Sequence, residues 1–243
     1  KKNRFNYHPI AIKNQNNFAG CEVRAITRLN TDNLLLSTQN GLIQYEKDDR
    51  NIQILKGPNN LLNDTKGSLV DSKGRIWIAS NGGVSLIDIN GRRKNFTKTV
   101  GSSLGLRSNY IANFLELEDG TILINAQEGL HKVLETNDVI NFEFIGDFWI
   151  RASGNEYMWA WDQSTVYRVD PVTFERKPEF SCDFENNNGV IQSMLFGENN
   201  KIWVGYGNGL VEYNQLTGQM QFHELLANMS YPLINLLQDF NGN

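Results

Sequence analysis

Reactive side chains are scarce in this chain. Its 243 residues include two cysteines and three histidines, and none falls in a C-x-x-C or H-x-x-x-H pattern of the kind that holds zinc. Cys21 and Cys182 sit near repeat boundaries three repeats apart, so their Cα atoms are expected beyond the ~7 Å reach of a disulfide. They read as two separate thiols and leave the redox compartment open. His8, His131 and His223 belong to different repeats. There is no phosphate loop, no G-x-S-x-G elbow and no dinucleotide fingerprint, so no metal and no cofactor is expected. No apolar run approaches the ~20 residues of a membrane span, and Lys1 does not open a signal peptide. Basic charge is also lacking. The net charge is −4, and the densest cationic stretch, Arg92-Arg93-Lys94, reads as a solvated turn, which argues against a nucleic-acid partner. Helical apolar periodicity is nowhere sustained.

What is present is repetition. The segments LLLSTQNGLIQY (Leu34 to Tyr45), IWIASNGGVSLI (Ile76 to Ile87), ILINAQEGLHKV (Ile122 to Val133), MWAWDQSTVYRV (Met158 to Val169) and IWVGYGNGLVEY (Ile202 to Tyr213) each pair two short apolar strands across a tight turn. Aligned at Gly41, Gly83, Gly129, Thr165 and Gly209, they are 42, 46, 36 and 44 residues apart. Such steps suit four-stranded propeller blades, roughly 40–50 residues each. The chain is read as all-β, a β-propeller of about five complete blades spanning 18–55, 62–98, 106–145, 148–178 and 189–223.

Innermost strands are expected at 23–29, 68–71, 111–117, 148–152 and 190–196, and outermost strands at 52–55, 95–98, 141–145, 174–177 and 219–223. Asn, Asp and Gly crowd the intervening turns, where positive φ penalises a β-carbon. The 32 asparagines are read as turn chemistry, and the sequons at Asn63, Asn95 and Asn228 as their chance by-product. Thr165 breaks the glycine rule, which marks the fourth blade as irregular. Residues 4–7 read as an outermost strand and 233–243 as the start of a further blade. Seven blades of ~42 residues would need ~290, so the segment is expected to be a single partial domain of a seven-bladed ring.

Two local motifs are set aside. Asp71-Ser72-Lys73-Gly74-Arg75-Ile76-Trp77 resembles the aspartate box of sialidase propellers but has one residue too many between Asp and Gly, and it fits the ordinary first turn of a blade. Phe222-His223-Glu224-Leu225 is similar to a histidine-kinase phospho-accepting box, yet it falls on an outermost strand and lacks the Arg-Thr-Pro that follows in kinases.

The repeat as a whole resembles the two-component regulator propeller, whose pattern is D-x-x-G, L-W-I-G-T, then G-L-x-x-Y-D. DSKGRIWIASNGGVSLID (Asp71–Asp88) and ENNKIWVGYGNGLVEYN (Glu198–Asn214) carry it well. NTDNLLLSTQNGLIQYE (Asn30–Glu46) and EDGTILINAQEGLHKV (Glu118–Val133) carry it more loosely. The resemblance implies the periplasmic sensor region of a hybrid two-component histidine kinase of Bacteroides type, part of an inner-membrane protein that regulates genes for polysaccharide use. It implies as partners an oligosaccharide, an adjacent propeller and β-sandwich of the same chain, and a second copy in a homodimer. It implies no kinase activity in this segment.

A ligand is expected where the second-to-third strand turns meet the connections into the next blade. That face would carry Gln39, Asn40, Asn81, Gln127, Glu128, Asp162, Gln163, Tyr206 and Asn208. Trp159 matches the repeat tryptophans Trp77 and Trp203 and is assigned to the core. Trp161 stands where Ser37, Ala79 and Gly205 stand in other repeats, and either fills a gap or faces a ligand. With Trp149, Arg151 and Tyr157 it makes the fourth blade the most distinctive surface, Arg151 having the charge to pair with an anionic sugar. Against a non-catalytic glycan sensor stand two alternatives. One is a polysaccharide lyase or glycosidase with Glu128 and Asp162 as its carboxylate pair, about 5–9.5 Å apart. The other is a protein-interaction scaffold.

Overall fold

The structure, a computed structural model, describes residues 22–46, 52–55, 64–153, 157–182, 190–206 and 209–224. Every regular element among them is a β-strand, and they form five four-stranded antiparallel meanders. The first contains β1 (Val23–Arg28), β2 (Asn33–Thr38), β3 (Gly41–Glu46) and β4 (Ile52–Leu55). The second contains β5 (Thr65–Val70), β6 (Ile76–Ser80), β7 (Gly83–Ile87) and β8 (Arg93–Phe96). The third contains β9 (Ile111–Glu116), β10 (Ile122–Ala126), β11 (Gly129–Thr136) and β12 (Val139–Gly146). The fourth contains β13 (Ala152–Ser153), β14 (Met158–Trp161), β15 (Thr165–Val169) and β16 (Arg176–Ser181), and the fifth β17 (Ile191–Phe196), β18 (Lys201–Tyr206), β19 (Gly209–Asn214) and β20 (Met220–Glu224). Cα proximity groups the chain into two compact units, Lys1–Phe144 and Ile145–Asn243. The expected partial blades at 4–7 and 233–243, together with Cys21, His8 and Asn208, lie outside the described residues.

Second strands read as nearly continuous apolar runs because both their faces are covered. β10 is buried along its whole length. In the first unit Trp77 and Leu86 of one sheet share a core with Ile122, Ile124 and Phe142 of the next, while Leu35 and Leu42 pack with Ile78. In the second unit Trp159 and Val166 pack with Ile202, Val204 and Val211. Trp77 is fully buried and meets Phe114 of the following sheet at 6.1 Å, and Trp159, 3% exposed, meets Phe196 at 5.8 Å. Both tryptophans therefore fill the space between consecutive sheets, at a register position where burial of such a ring contributes roughly 2–3 kcal/mol.

Turn chemistry explains the repeat's fixed letters. Asp88 and Asp170 follow a third strand and Asn214 ends one, and each places its Oδ1 to accept two backbone N–H groups of the next turn, from Asn90 and Arg92, Val172 and Thr173, and Leu216 and Thr217. The glycine opening the third strand answers to more than φ. At Gly83 the φ is +117°, and a β-carbon would overlap the Phe96 carbonyl of the outermost strand. Close approach of β8 to β7 is thus what excludes a side chain. Thr165 occupies that position in the fourth sheet, and there β16 takes an extra residue between the Val166↔Phe180 and Tyr167↔Pro178 pairs. Thr165 lacks the positive φ of Gly83, and Pro178, which has no N–H, sits beside the bulge.

The fourth sheet also departs from expectation at both edges. Its innermost strand was expected over 148–152, but the strand ladder holds the pairs Ala152↔Trp159 and Ser153↔Met158, with the Arg151 N–H donating to the Trp159 carbonyl at 2.8 Å. Small residues face one another at the corresponding place in the first, second and fifth sheets, Ala25↔Ser37, Gly67↔Ala79 and Ser193↔Gly205, and Asn113 faces Asn125 in the third. Trp161 stands at that place in the fourth sheet. The outermost strand, expected over 174–177, begins at Arg176 because Phe174 adopts φ +59° in closing the turn after Asp170.

Candidate functional site

Within each unit the second-to-third strand turn does meet the connection into the following sheet. The Gln39 carbonyl accepts the Asp64 N–H at 2.9 Å, and the Gln163 carbonyl accepts the Ile191 N–H at 2.9 Å. Buried Thr65 reinforces the first junction, its Oγ1 accepting the Thr38 N–H at 2.8 Å and lying 3.0 Å from the Thr38 and Gly41 carbonyls.

On this side of the first unit the charged groups are already matched. The Asp64 carboxylate accepts from Arg24, from Lys66 at 2.9 Å and from Asn81. Partial burial would raise its pKa, but the Lys66 and Arg24 hydrogen bonds outweigh that and hold it below the usual carboxylate value. Arg24 and Lys66 are the extra residues of bulges in β1 and β5, and Lys66 also lies 5.4 Å from the Tyr110 ring centre. Gln127 and Glu128 are exposed. The Gln127 N–H donates to the Tyr110 carbonyl, and Glu128 faces Lys98 at 3.4 Å.

In the second unit Asp162 is committed to its own turn. Oδ1 accepts the N–H groups of Ser164 and Thr165 at 3.2 and 2.9 Å, and Oδ2 accepts the Tyr167 hydroxyl at 2.7 Å. Desolvation pushes its pKa up, yet the bonds from Thr165, Tyr167 and Ser164 prevail and keep it low. A general acid needs the opposite shift. Gln163 is exposed. Tyr206 is 2% exposed and belongs to the core between the fourth and fifth sheets. Trp161 is half-buried against that same core and also lies beneath Arg151, 5.6 Å from ring centre to guanidinium. Tyr157, half-buried, lies 5.2 Å from the Arg168 guanidinium.

Two features escaped the sequence reading. One is the full role of Asp71, which is 5% exposed. Its Oδ1 accepts the Lys73 and Arg75 N–H groups at 3.1 and 2.8 Å, while Oδ2 accepts Arg75 Nε at 2.7 Å and Trp77 Nε1 at 2.8 Å. Arg75 continues to Glu135 of β11 at 2.7 Å, and Lys73 joins the same carboxylate at 2.7 Å. The turn is thereby tied to the buried tryptophan and to the next sheet. The other is a series of arginines laid on aromatic rings through the fourth sheet, for which the only signal was the density of Trp, Tyr and Arg. Among the described residues no group of three or more His, Cys, Asp or Glu is placed to hold a metal, and no helix is long and apolar enough to cross a membrane.

No protein-family model matches the chain, and no curated protein does. Solved structures do. The extracellular domain of the putative hybrid two-component system BT4673 from B. thetaiotaomicron is similar over 97% of this chain, with TM-score 0.76 and 17% identity. That of BT3049 from the same organism is similar over 91%, with TM-score 0.70 and 18% identity. The chain spans only 32% and 31% of those two chains. Virginiamycin B lyase from Staphylococcus aureus, solved in a catalytically inactive form with quinupristin, is similar over 89% of this chain and 74% of its own, with TM-score 0.64 and 14% identity. At these identities the likeness shows the fold, a β-propeller.

Proposed function

We propose that this chain is a non-catalytic sensor segment of an extracytoplasmic, membrane-anchored two-component protein, and that it serves detection of an oligosaccharide. The observation that carries the reading is the likeness over 97% of the chain to the extracellular domain of a hybrid two-component system, joined to the same resemblance in the repeat letters. In this reading ligand binding biases the relative position of two subunits, and the signal crosses the membrane to a histidine kinase elsewhere in the parent.

The chemistry of the carboxylates supports a non-catalytic role. Asp162 is held ionised by its turn, and Glu128 faces a lysine. The likeness to a lyase propeller favours the enzyme as the second reading. The deciding experiment is a thermal-shift and calorimetric screen of the intact protein against oligosaccharides, with mass-spectrometric analysis of each mixture. Saturable binding with the sugar recovered intact is expected. Cleavage that is lost in Glu128→Gln or Asp162→Asn would establish the enzyme reading instead.

A further inference from the structure

Three arginines of the second unit lie over aromatic rings. Arg168 lies 5.2 Å from Tyr157 and 5.7 Å from Trp159, and its charge is met by Glu179. Arg176 lies 4.5 Å from Phe148 and 5.5 Å from Tyr167, with Asp147 at 3.9 Å. Arg151 lies 4.4 Å from Trp149 and 5.6 Å from Trp161, but among the described residues no carboxylate pairs with it and no acceptor bonds its guanidinium. It is also exposed.

This difference is chemically informative. A guanidinium over two indoles is held in place by the ring quadrupoles, at a fraction of the entropy that a free arginine loses on binding. Its five N–H donors stay available for an oxyanion. The fold does not need Arg151 as a counter-charge, because no described acid depends on it. The irregularity of the sheet serves the same arrangement. The run before Ala152 carries Trp149 and Arg151, the Arg151 N–H donating to the Trp159 carbonyl at 2.8 Å, and Trp161 takes the place of a small residue.

We propose that Trp149, Arg151 and Trp161 form a subsite for a sugar ring bearing an oxyanion, a carboxylate or a sulfate. The guanidinium pairs with the anion, and an indole contributes a face or edge to the ring. The sugar in this proposal rests on the sensor reading above; the anion rests on Arg151. Neutral sugars lack the group that Arg151 selects.

The test is calorimetry and tryptophan fluorescence on the intact protein with three probes: tetragalacturonate for carboxylate, a carrageenan-derived tetrasaccharide for sulfate, and maltotetraose as the neutral control. At least one anionic probe is expected to bind about tenfold or more tighter than maltotetraose. Arg151→Gln should remove that preference, Arg151→Lys should retain part of it, and Arg176→Gln should leave it in place. Affinity for the anionic probe should fall as salt is raised in the unsubstituted protein, a readout that needs no variant to fold. Equal affinity for neutral and anionic probes, or an anionic preference untouched by Arg151→Gln, would overturn the subsite and leave the sensor reading standing. Failure of all three probes, and of a wider neutral panel, would overturn both.

Discussion

Asp71 and Trp77 show how one residue pair can fix a turn, a core ring and a neighbouring sheet together. The carboxylate is nearly inaccessible and accepts four hydrogen bonds. Desolvation pulls its pKa up, but the bonds from Trp77 and Arg75 and the Arg75 charge hold it below the ordinary carboxylate value. Trp77→Phe keeps most of the buried ring but removes one donor from a buried acceptor. We expect a loss of about 1–3 kcal/mol, read as a lower urea midpoint at unchanged m-value. In the sequence the segment from Asp71 to Trp77 read as the ordinary first turn of a blade. That the indole N–H completes the cap depends on the depth at which the tryptophan is buried, and this is set by Phe114 of another sheet.

At the scale of the element, the glycine that opens each third strand follows from contact between strands. Gly83→Ala puts a β-carbon into the Phe96 carbonyl at a φ that L-residues rarely adopt, so β8 must shift or detach. The expected outcome is destabilisation of about 2 kcal/mol or more, with faster amide exchange confined first to β7 and β8. In the fourth sheet Thr165 stands at this position without a positive φ, on a strand paired with a bulged partner. The innermost strand is shortened to Ala152–Ser153 in the same sheet, where Trp161 replaces a small residue. Alternating apolar letters were legible in both places. A bulge or a shortened strand was not, because those depend on which residues face each other across strands.

At the scale of the whole molecule, proton linkage provides a check on the packing. His131 is fully buried. Its Nε2 accepts the Arg107 N–H at 3.2 Å, its Nδ1 faces the Gly129 carbonyl at 3.3 Å, and its ring meets Phe144 edge-on at 5.4 Å. Burial lowers its pKa, Arg107 lowers it further, and the Gly129 carbonyl and Glu128 oppose without prevailing. The folded protein therefore keeps the imidazole neutral, whereas the unfolded chain takes up a proton near pH ~6.5. Its contribution is complete above that pH and is lost as pH falls toward the depressed folded value, at up to about 1.4 kcal/mol per pH unit. Urea midpoints should decline between pH ~7 and ~5, and His131→Gln should flatten that part of the profile. Asp71 adds a separate loss at lower pH, below the unfolded carboxylate pKa of ~3.9, because its folded pKa is depressed.

The sequence by itself determined the all-β class and the four-stranded repeat. Those properties are local, resting on period-two alternation and on turns whose backbone tolerates few residue types. It also located the fourth blade as the unusual one. The tertiary structure decided what each candidate side chain is free to do. Asp162 and Tyr206 have the letters of a binding site, yet one is committed to its turn and the other to the core. Arg151 is distinguished from Arg168 and Arg176 only by the acids brought near them. Which charge is left unmatched is a property of residues distant in sequence meeting in space, and no local pattern records it.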